Sequence, residues 1–256
     1  MRNVMAIAQR EIKAYFSSPI AFILIGFFAL LFGYFYYALL AFFERQSMQM
    51  GMGMGGPQSM NVNQMLISPL LVNATVILLF VFPLITMRTY SEEKRSGTIE
   101  LLLTSPLTDL QIILGKFLGA MLLYAAMLAV TLIHVGLLFL YGNPEWKPIL
   151  TGYLGLLLMG GCFLSIGLLI SSLTRNQIVA AMATFGVFLM LWVINWIGSF
   201  VGPTAQAVLQ HLSITEHFDD FAKGIIDTKH LVYYFSFIAF GLFLTMKSVD
   251  SERWRG

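Results

Sequence analysis

Six runs free of Asp, Glu, Lys and Arg divide this chain, at 14–43, 46–87, 117–144, 148–174, 176–215 and 230–246, each dense in Leu, Ile, Val, Phe and Met. A helix crossing the hydrocarbon core of a bilayer needs about 17–25 such residues, and any other open backbone at that depth would leave its polar groups unsatisfied. The chain is therefore expected to be an all-α integral membrane protein. Its spans are placed near 20–43, 64–87, 117–141, 149–172, 178–200 and 231–248. A soluble fold is excluded by the amount of apolar surface to be hidden: 58% of residues are hydrophobic, 11% are charged and the mean hydropathy is +0.79, against roughly a quarter charged in soluble domains. Pro69 and Pro83 fall inside the second span, where neighbouring helices can satisfy the carbonyls they free, so a kink or a proline-bounded end is expected there. The sixth span sits at the short end of the range.

Lys and Arg near span ends are retained on the cytoplasmic side, which sets orientation. With the N-terminus inside, the inner segments hold eleven of the fifteen basic residues: Arg2, Arg10, Lys13, Arg88, Lys94, Arg95, Lys116, Arg175, Lys247, Arg253 and Arg255. Arg45, Lys147, Lys223 and Lys229 fall outside. Both termini are thus expected in the cytosol, and the protein in the cytoplasmic (inner) membrane. The first apolar run is too long for a signal h-region and lacks a small-residue cleavage site, so it is read as a retained span. The single cysteine, Cys162, excludes an intrachain disulfide.

Four segments between the spans carry organisation. Val4, Met5, Ala8, Ile12, Tyr15 and Phe16 recur at helical spacing while Arg2, Gln9 and Lys13 point elsewhere, giving an amphipathic elbow helix over 3–18 on the membrane surface, ended by Ser17, Ser18 and Pro19. In the 88–116 loop, Thr98 to Thr104 reads as a helix of about two turns, stopped by Ser105-Pro106. Thr108-Asp109-Leu110-Gln111 is a capping box, with Leu107 and Ile112 as its hydrophobic staple, and starts a helix that leads into span three. A structured projection carrying Leu101 to Leu103 beside charges suggests a docking surface, though the same leucines could lie back on the bilayer. In the outer 44–61 segment, Met48, Met50, Met52 and Met54 are soft thioether ligands suited to Cu(I). With no His or Cys nearby, a Gly-rich linker is the stronger reading. Over 201–230, Ser213-Ile214-Thr215-Glu216 is a second capping box, followed by Phe218, Phe221, Ala222, Ile225 and Ile226 at helical spacing, an amphipathic helix on the outer side. Glu216, His217, Asp219 and Asp220 fix no ligand geometry, and Asp219 with Lys223 makes an ordinary i,i+4 pair.

Within the spans no Asp, Glu, Lys or Arg lies near a helix middle, whereas gradient-driven transporters commonly carry ionisable groups on the pathway. His134 is the one candidate relay, set against a neutral histidine packed on a neighbouring helix; Asn73 and Asn195 are the other polar groups of note. Asn73-Ala74-Thr75 matches a glycosylation acceptor but lies in an apolar span. Gly115 with Gly119, and Gly161 with Ser165, place small residues four apart, as close helix packing requires. No nucleophile, base and acid cluster with useful spacing occurs, nor does the phosphate-cradling G-x-x-x-x-G-K-[ST]; Gly115-Lys116 is followed by Phe117.

Together, the surface elbow helix, the six spans and the stretch from Tyr90 to Pro106, running on to Gly115-Lys116, resemble the permease subunits of type-2 ABC exporters. The resemblance covers essentially the whole chain, 1–256, as a single transmembrane domain. Its most specific part is Glu93, Gly97, Thr98, Glu100, Leu102, Leu103 and Pro106, lying between spans two and three. His217-Phe218 through Gly224-Ile225-Ile226-Asp227 to Tyr233-Tyr234-Phe235 is similar to the gliding-motility-associated branch of that family. The resemblance implies a subunit that forms the translocation path as one half of a homo- or heterodimer. It implies no catalysis and no cofactor on this chain: ATP and Mg would bind separate cytosolic ABC ATPase subunits, docked on a coupling helix built from those seven residues. An auxiliary extracytoplasmic subunit is compatible with this, and nucleic acid is not an expected partner. Two other classes are weighed: a gradient-driven carrier or channel with His134 or the asparagines lining an ion path, and an ATPase-coupled membrane scaffold that moves no solute.

Overall fold

The computed structural model describes residues 2–51, 61–104, 106–142, 144–198, 200 and 202–253, with only the backbone described at 50, 51, 101–103, 195, 198, 203 and 253. Among the described residues every regular element is helical. The chain begins with α1 (Arg2–Ser17). Pro19 then disfavours helical geometry at Ser18, and α2 (Pro19–Gly51) starts on the proline itself, whose missing N–H would have had no partner in a first turn. The Ser18 hydroxyl accepts the Ile20 N–H at 3.4 Å and so caps the new helix.

A π-helical turn at Asn63–Ile67 precedes α3 (Ser68–Thr86). Pro69 explains this position, because its ring and missing N–H cannot be fitted to a regular ladder with the preceding turn. Pro83 lies inside α3, where its carbonyl accepts the Met87 N–H at 2.9 Å. Two short helices follow, α4 (Ser91–Ser96) and α5 (Thr98–Leu103). Then come α6 (Asp109–Tyr141), α7 (Trp146–Leu173) and α8 (Gln177–Gly198). A further pair, α9 (Pro203–Leu212) and α10 (Ile214–Ala222), leads to α11 (Thr228–Arg253).

Six of these helices are long and apolar enough to cross a membrane, and they fall on the six expected runs. The sixth is not marginal. Helix α11 extends beyond 231–248 at both ends, because the charges that closed the apolar run, Lys247, Asp250 and Glu252, continue as ordinary helix. Likewise α2 continues past 43 to Gly51, carrying an exposed Met48. The side chain of Met50, and Met52 and Met54, lie outside the described residues.

Helix α7 is the centre of the bundle, packing against α3, α6, α8, α10 and α11. Its small residues permit that crowding. A Cβ on Gly161 would sit 2.7 Å from Ile238 of α11, and Ser165 lies against Gly241 one turn further along the same helix. On the face toward α6, Tyr124 is fully buried and donates to the Leu156 carbonyl at 2.8 Å. Its ring meets Phe82 edge-on, at 4.9 Å between centres, inside a cluster with Phe163 and Phe188. Helix termini follow their sequence signals. Thr108 and Gln111 form the reciprocal capping box at the start of α6, with Leu107 packed against Ile112.

Between α8 and α11 the single amphipathic helix expected is in fact two, and the second is not a surface helix. Ile214, His217, Phe218, Phe221 and Ala222 are buried, and a Cβ on Gly155 would stand 2.6 Å from that of Phe221. Ile225 and Ile226 lie outside α10 and are exposed. The helix is stopped by Gly224 at φ 92°, where the Ile225 N–H returns to the Asp220 carbonyl and that of Gly224 to Phe221, the paired bonds of a glycine-terminated helix. His134 packs between the rings of Phe32 and Tyr36 on α2, with its Nε2 2.9 Å from where a Cβ on Gly33 would stand. Its Nδ1 has no hydrogen-bond partner among the described residues.

Candidate functional site

The segment between α3 and α6 is fastened to the bundle through buried polar groups rather than resting on it. Tyr90 is fully buried, and the Ser171 hydroxyl of α7 accepts the N–H groups of Tyr90 and Ser91 at 3.1 and 3.2 Å while donating to the Met87 carbonyl. These are the free donors of the first turn of α4, so their capture by α7 fixes where α4 begins.

Lys116, in the second turn of α6, is 1% exposed. An ammonium has three N–H donors and must use them when buried. Lys116 donates to Glu11 of α1 at 3.1 Å, to Glu93 of α4 at 2.8 Å and to the Thr89 carbonyl at 2.9 Å. Its Nζ also stands 5.1 Å from the centre of the Tyr90 ring, within reach of a cation–π attraction. Arg10 closes the circuit from the other side, 2.8 Å from Glu11 and 3.3 Å from Glu93. Two cations thus balance two carboxylates where three helices meet. Burial pushes the Glu11 carboxyl up, but Lys116 and Arg10 outweigh it and hold its pKa below the ordinary glutamate value.

The sign of that shift sets a pH dependence. A depressed carboxylate contributes stability that is present above its unfolded pKa and lost as pH falls through its folded one. Glu11→Gln is therefore expected to lower the thermal midpoint of the purified protein at neutral pH, the difference from wild type shrinking as pH falls below about 4.5. A pH-independent difference would show that Glu11 acts by shape alone.

Helix α1 reaches this circuit because α6 is small where α1 crosses it. A Cβ on Gly115 would lie 2.5 Å from the Ile7 Cβ and 3.1 Å from the Val4 carbonyl oxygen, and one on Gly119 would lie 2.6 Å from the Glu11 Cβ. Gly115 and Gly119 therefore receive the N-terminal helix, while Gly161 and Ser165 face α11. A fourth connection joins α4 to the far end of the chain. Lys94 of α4, nearly buried, meets Glu252 of α11 at 2.6 Å. Arg88 and Glu92, one turn apart, pair at 2.8 Å in the same segment.

The residues singled out from the sequence divide by position. Glu93 lies in the circuit. Gly97 has φ 73° and turns the chain between α4 and α5, a conformation costly for residues with a Cβ. The Thr98 hydroxyl pairs with that of Ser96 at 2.9 Å across the turn. Ile99 is buried among Tyr90, Ile113, Leu168 and Val249 and anchors α5. Glu100 and Pro106 are exposed, and the Glu100 carbonyl accepts both the N–H and the hydroxyl of Thr104 at 2.9 Å. Leu102 and Leu103 are helical in backbone, with side chains outside the described residues.

Sequence reasoning missed Lys116, Glu11, Arg10 and Ser171 as parts of this site. One signal was available for the first: Lys116 is followed by a long charge-free run, so a span boundary set one turn earlier would have buried it and required partners for it. Among the described residues no group of three or more His, Cys, Asp or Glu side chains is arranged to hold a metal ion.

Comparison with known sequences adds a family. The profile described as ABC-2 family transporter protein matches residues 5–246. The chain is also similar to the probable multidrug ABC transporter permease YbhR of Escherichia coli strain K12 and to its namesake in Escherichia coli O157:H7, each 29% identical over 147 residues, or 56% of this chain. The matched region covers 39% of those proteins, so the chain spans well under half the length of the curated relatives it matches.

Proposed function

Because this chain belongs to the ABC-2 transporter family, whose profile runs through all six apolar helices, we propose that it is the membrane permease subunit of an ABC transporter. It forms the translocation path as one half of a dimer, and ATP is hydrolysed on separate ATPase subunits. The end of the bundle carrying α1, α4 and α5 faces the cytosol, a reading that the excess of Lys and Arg there supports. Helix α5, with exposed Glu100 and with Leu102 and Leu103, is the coupling helix that meets the ATPase, and α1 is the elbow helix beside it. The narrower affinity with the gliding-motility-associated branch concerns the α10 to α11 region and carries no substrate with it.

The observation that supports this reading best is the position of α4. It is tied to α1 and α6 through Lys116, to α7 through Ser171 and to α11 through Lys94. A push on α5 is passed through α4 to four helices, among them the central helix α7 and its neighbours α6 and α11, as a rigid-body or hinge transition requires. The absence of mid-span Asp, Glu, Lys and Arg from the sequence points the same way, toward an energy source on another chain.

Reversing the charge at Glu100→Lys, or placing a carboxylate at Leu103→Asp, is expected to leave the protein inserted while lowering co-purification with its ATPase by about tenfold, equivalent to ~1.4 kcal/mol of contact. Wild-type co-purification and ATP turnover by both variants would remove α5 from the interface.

A further inference from the structure

At the end of the bundle opposite α4, the connection between α8 and α11 closes on a chain of buried groups that the transport reading does not use. His217 of α10 places Nε2 3.1 Å from the His211 carbonyl oxygen and Nδ1 2.6 Å from Nδ1 of His230. His230, in the first turn of α11, places Nε2 2.8 Å from a carboxylate oxygen of Asp220 on α10. Both imidazoles are buried, at 5% and 4% exposed, and the His217 ring stacks on Tyr233 with centres 3.8 Å apart. The rings have little room to turn away. Tyr233 donates to the Leu212 carbonyl and Tyr234 to that of Ile214, clamping both ends of the turn between α9 and α10 onto α11.

Counting protons decides what this chain can be. Its ends, a carbonyl and a carboxylate, are acceptors only, so its three contacts need three protons between them. Two neutral imidazoles carry two. With no further proton, one contact opposes lone pairs at hydrogen-bonding distance. With two further protons, N–H faces N–H between the rings. The set closes only with a single added proton.

We propose that His217, His230 and Asp220 form a one-proton lock that fastens α10 to α11, the added proton making an imidazolium of His230 offset by the Asp220 carboxylate. His217 then donates Nε2–H to His211, His230 donates Nδ1–H to His217 and Nε2–H to Asp220, and every contact is satisfied by a charge-assisted or ordinary hydrogen bond. Burial, reinforced by the neighbouring His230, holds the His217 pKa below its ordinary value despite its bond to the His211 carbonyl.

Charged groups stand around the pair, and Glu216 and Lys229 lie near enough to act on His217 and Asp220. The recess beside it is lined by His211 of α9, by Glu216, Asp219 and Lys223 on and after α10, and by Lys229 of α11, which is paired with Asp227 at 3.0 Å. Tyr233 and Tyr234 enclose it from α11, and Cys162 of α7 reaches only the Tyr234 carbonyl. Among the described residues no acidic or basic side chain of α3, α7 or α8 lines it. The lock therefore opens in both directions of pH, at the high side by losing its proton and at the low side by gaining a second.

Nitrogen-15 spectra of the histidine-labelled full chain in nanodiscs test this, since only four histidines contribute. Near neutral pH the expected result is one imidazolium and one ring protonated at Nε2 alone from His217 and His230, with Asp220→Asn causing loss of the imidazolium signal. The thermal midpoint is expected to follow a bell-shaped pH profile over roughly pH 5–8 that flattens in Asp220→Asn and in His230→Gln. Two neutral rings throughout, or two rings titrating independently and unchanged by Asp220→Asn, would overturn the lock.

Discussion

Lys116→Ala is expected to destabilise the protein by about 3–5 kcal/mol, the cost of breaking a buried ion pair by removing one partner. The reason is geometric. Lys116 is 1% exposed and stands between Glu11 and Glu93. Its removal leaves two partly buried carboxylates facing each other with Arg10 as their remaining cation. The loss should appear as a lowered thermal midpoint in detergent and as reduced accumulation in the membrane. Lys116→Met combined with Glu11→Gln and Glu93→Gln is expected to recover most of that stability, because replacing the buried charges together with groups of similar volume is often close to neutral, and the Arg10 that remains is half exposed to water. Equal losses for the single and triple variants would show that the circuit's charges do not matter.

Gly115→Leu is the second change of large effect, and it acts on the same contact from the other side. The new Cβ would overlap Ile7 and approach the Val4 backbone, so α1 must lift from α6 and withdraw Glu11 from Lys116. Overpacking alone costs about 1–3 kcal/mol. Trypsin cleavage after Lys13, which tracks the population of the open form, is expected to accelerate roughly 5- to 150-fold, and Ile7→Gly in the same chain to slow it again. Unchanged cleavage would mean that α1 is held by the bilayer and not by α6.

How much of this was legible beforehand follows from the kind of force involved. The spans were legible because a charge-free run has no alternative in water, and Thr108 and Gln111 because a capping box is a local device. The interior was less so. Gly115 and Gly119 were recognisable as a packing stripe, but nothing at that spacing says that the partner is α1. Helix α10 reads as a surface helix because its acidic face is evident and the burial of Phe218 and Phe221 against α7 is a tertiary fact. Lys116 was counted as a topology marker, since a cation at the edge of an apolar run looks solvated until its partners, 105 and 23 residues away in sequence, are brought to it. His217 and His230 stand 13 residues apart on different helices, a separation with no periodicity to betray it.

The central claim is that α5 meets the ATPase at the cytosolic end and that the α10 end faces away from it. Photo-crosslinking from two positions in native membranes tests this most directly, with a photoreactive residue at exposed Glu100 in one sample and at exposed Lys223 in the other. The expected result is capture of the ATPase subunit from position 100 and none from 223. Capture from 223, or none from 100 in a chain that still supports ATP-driven transport, would contradict it.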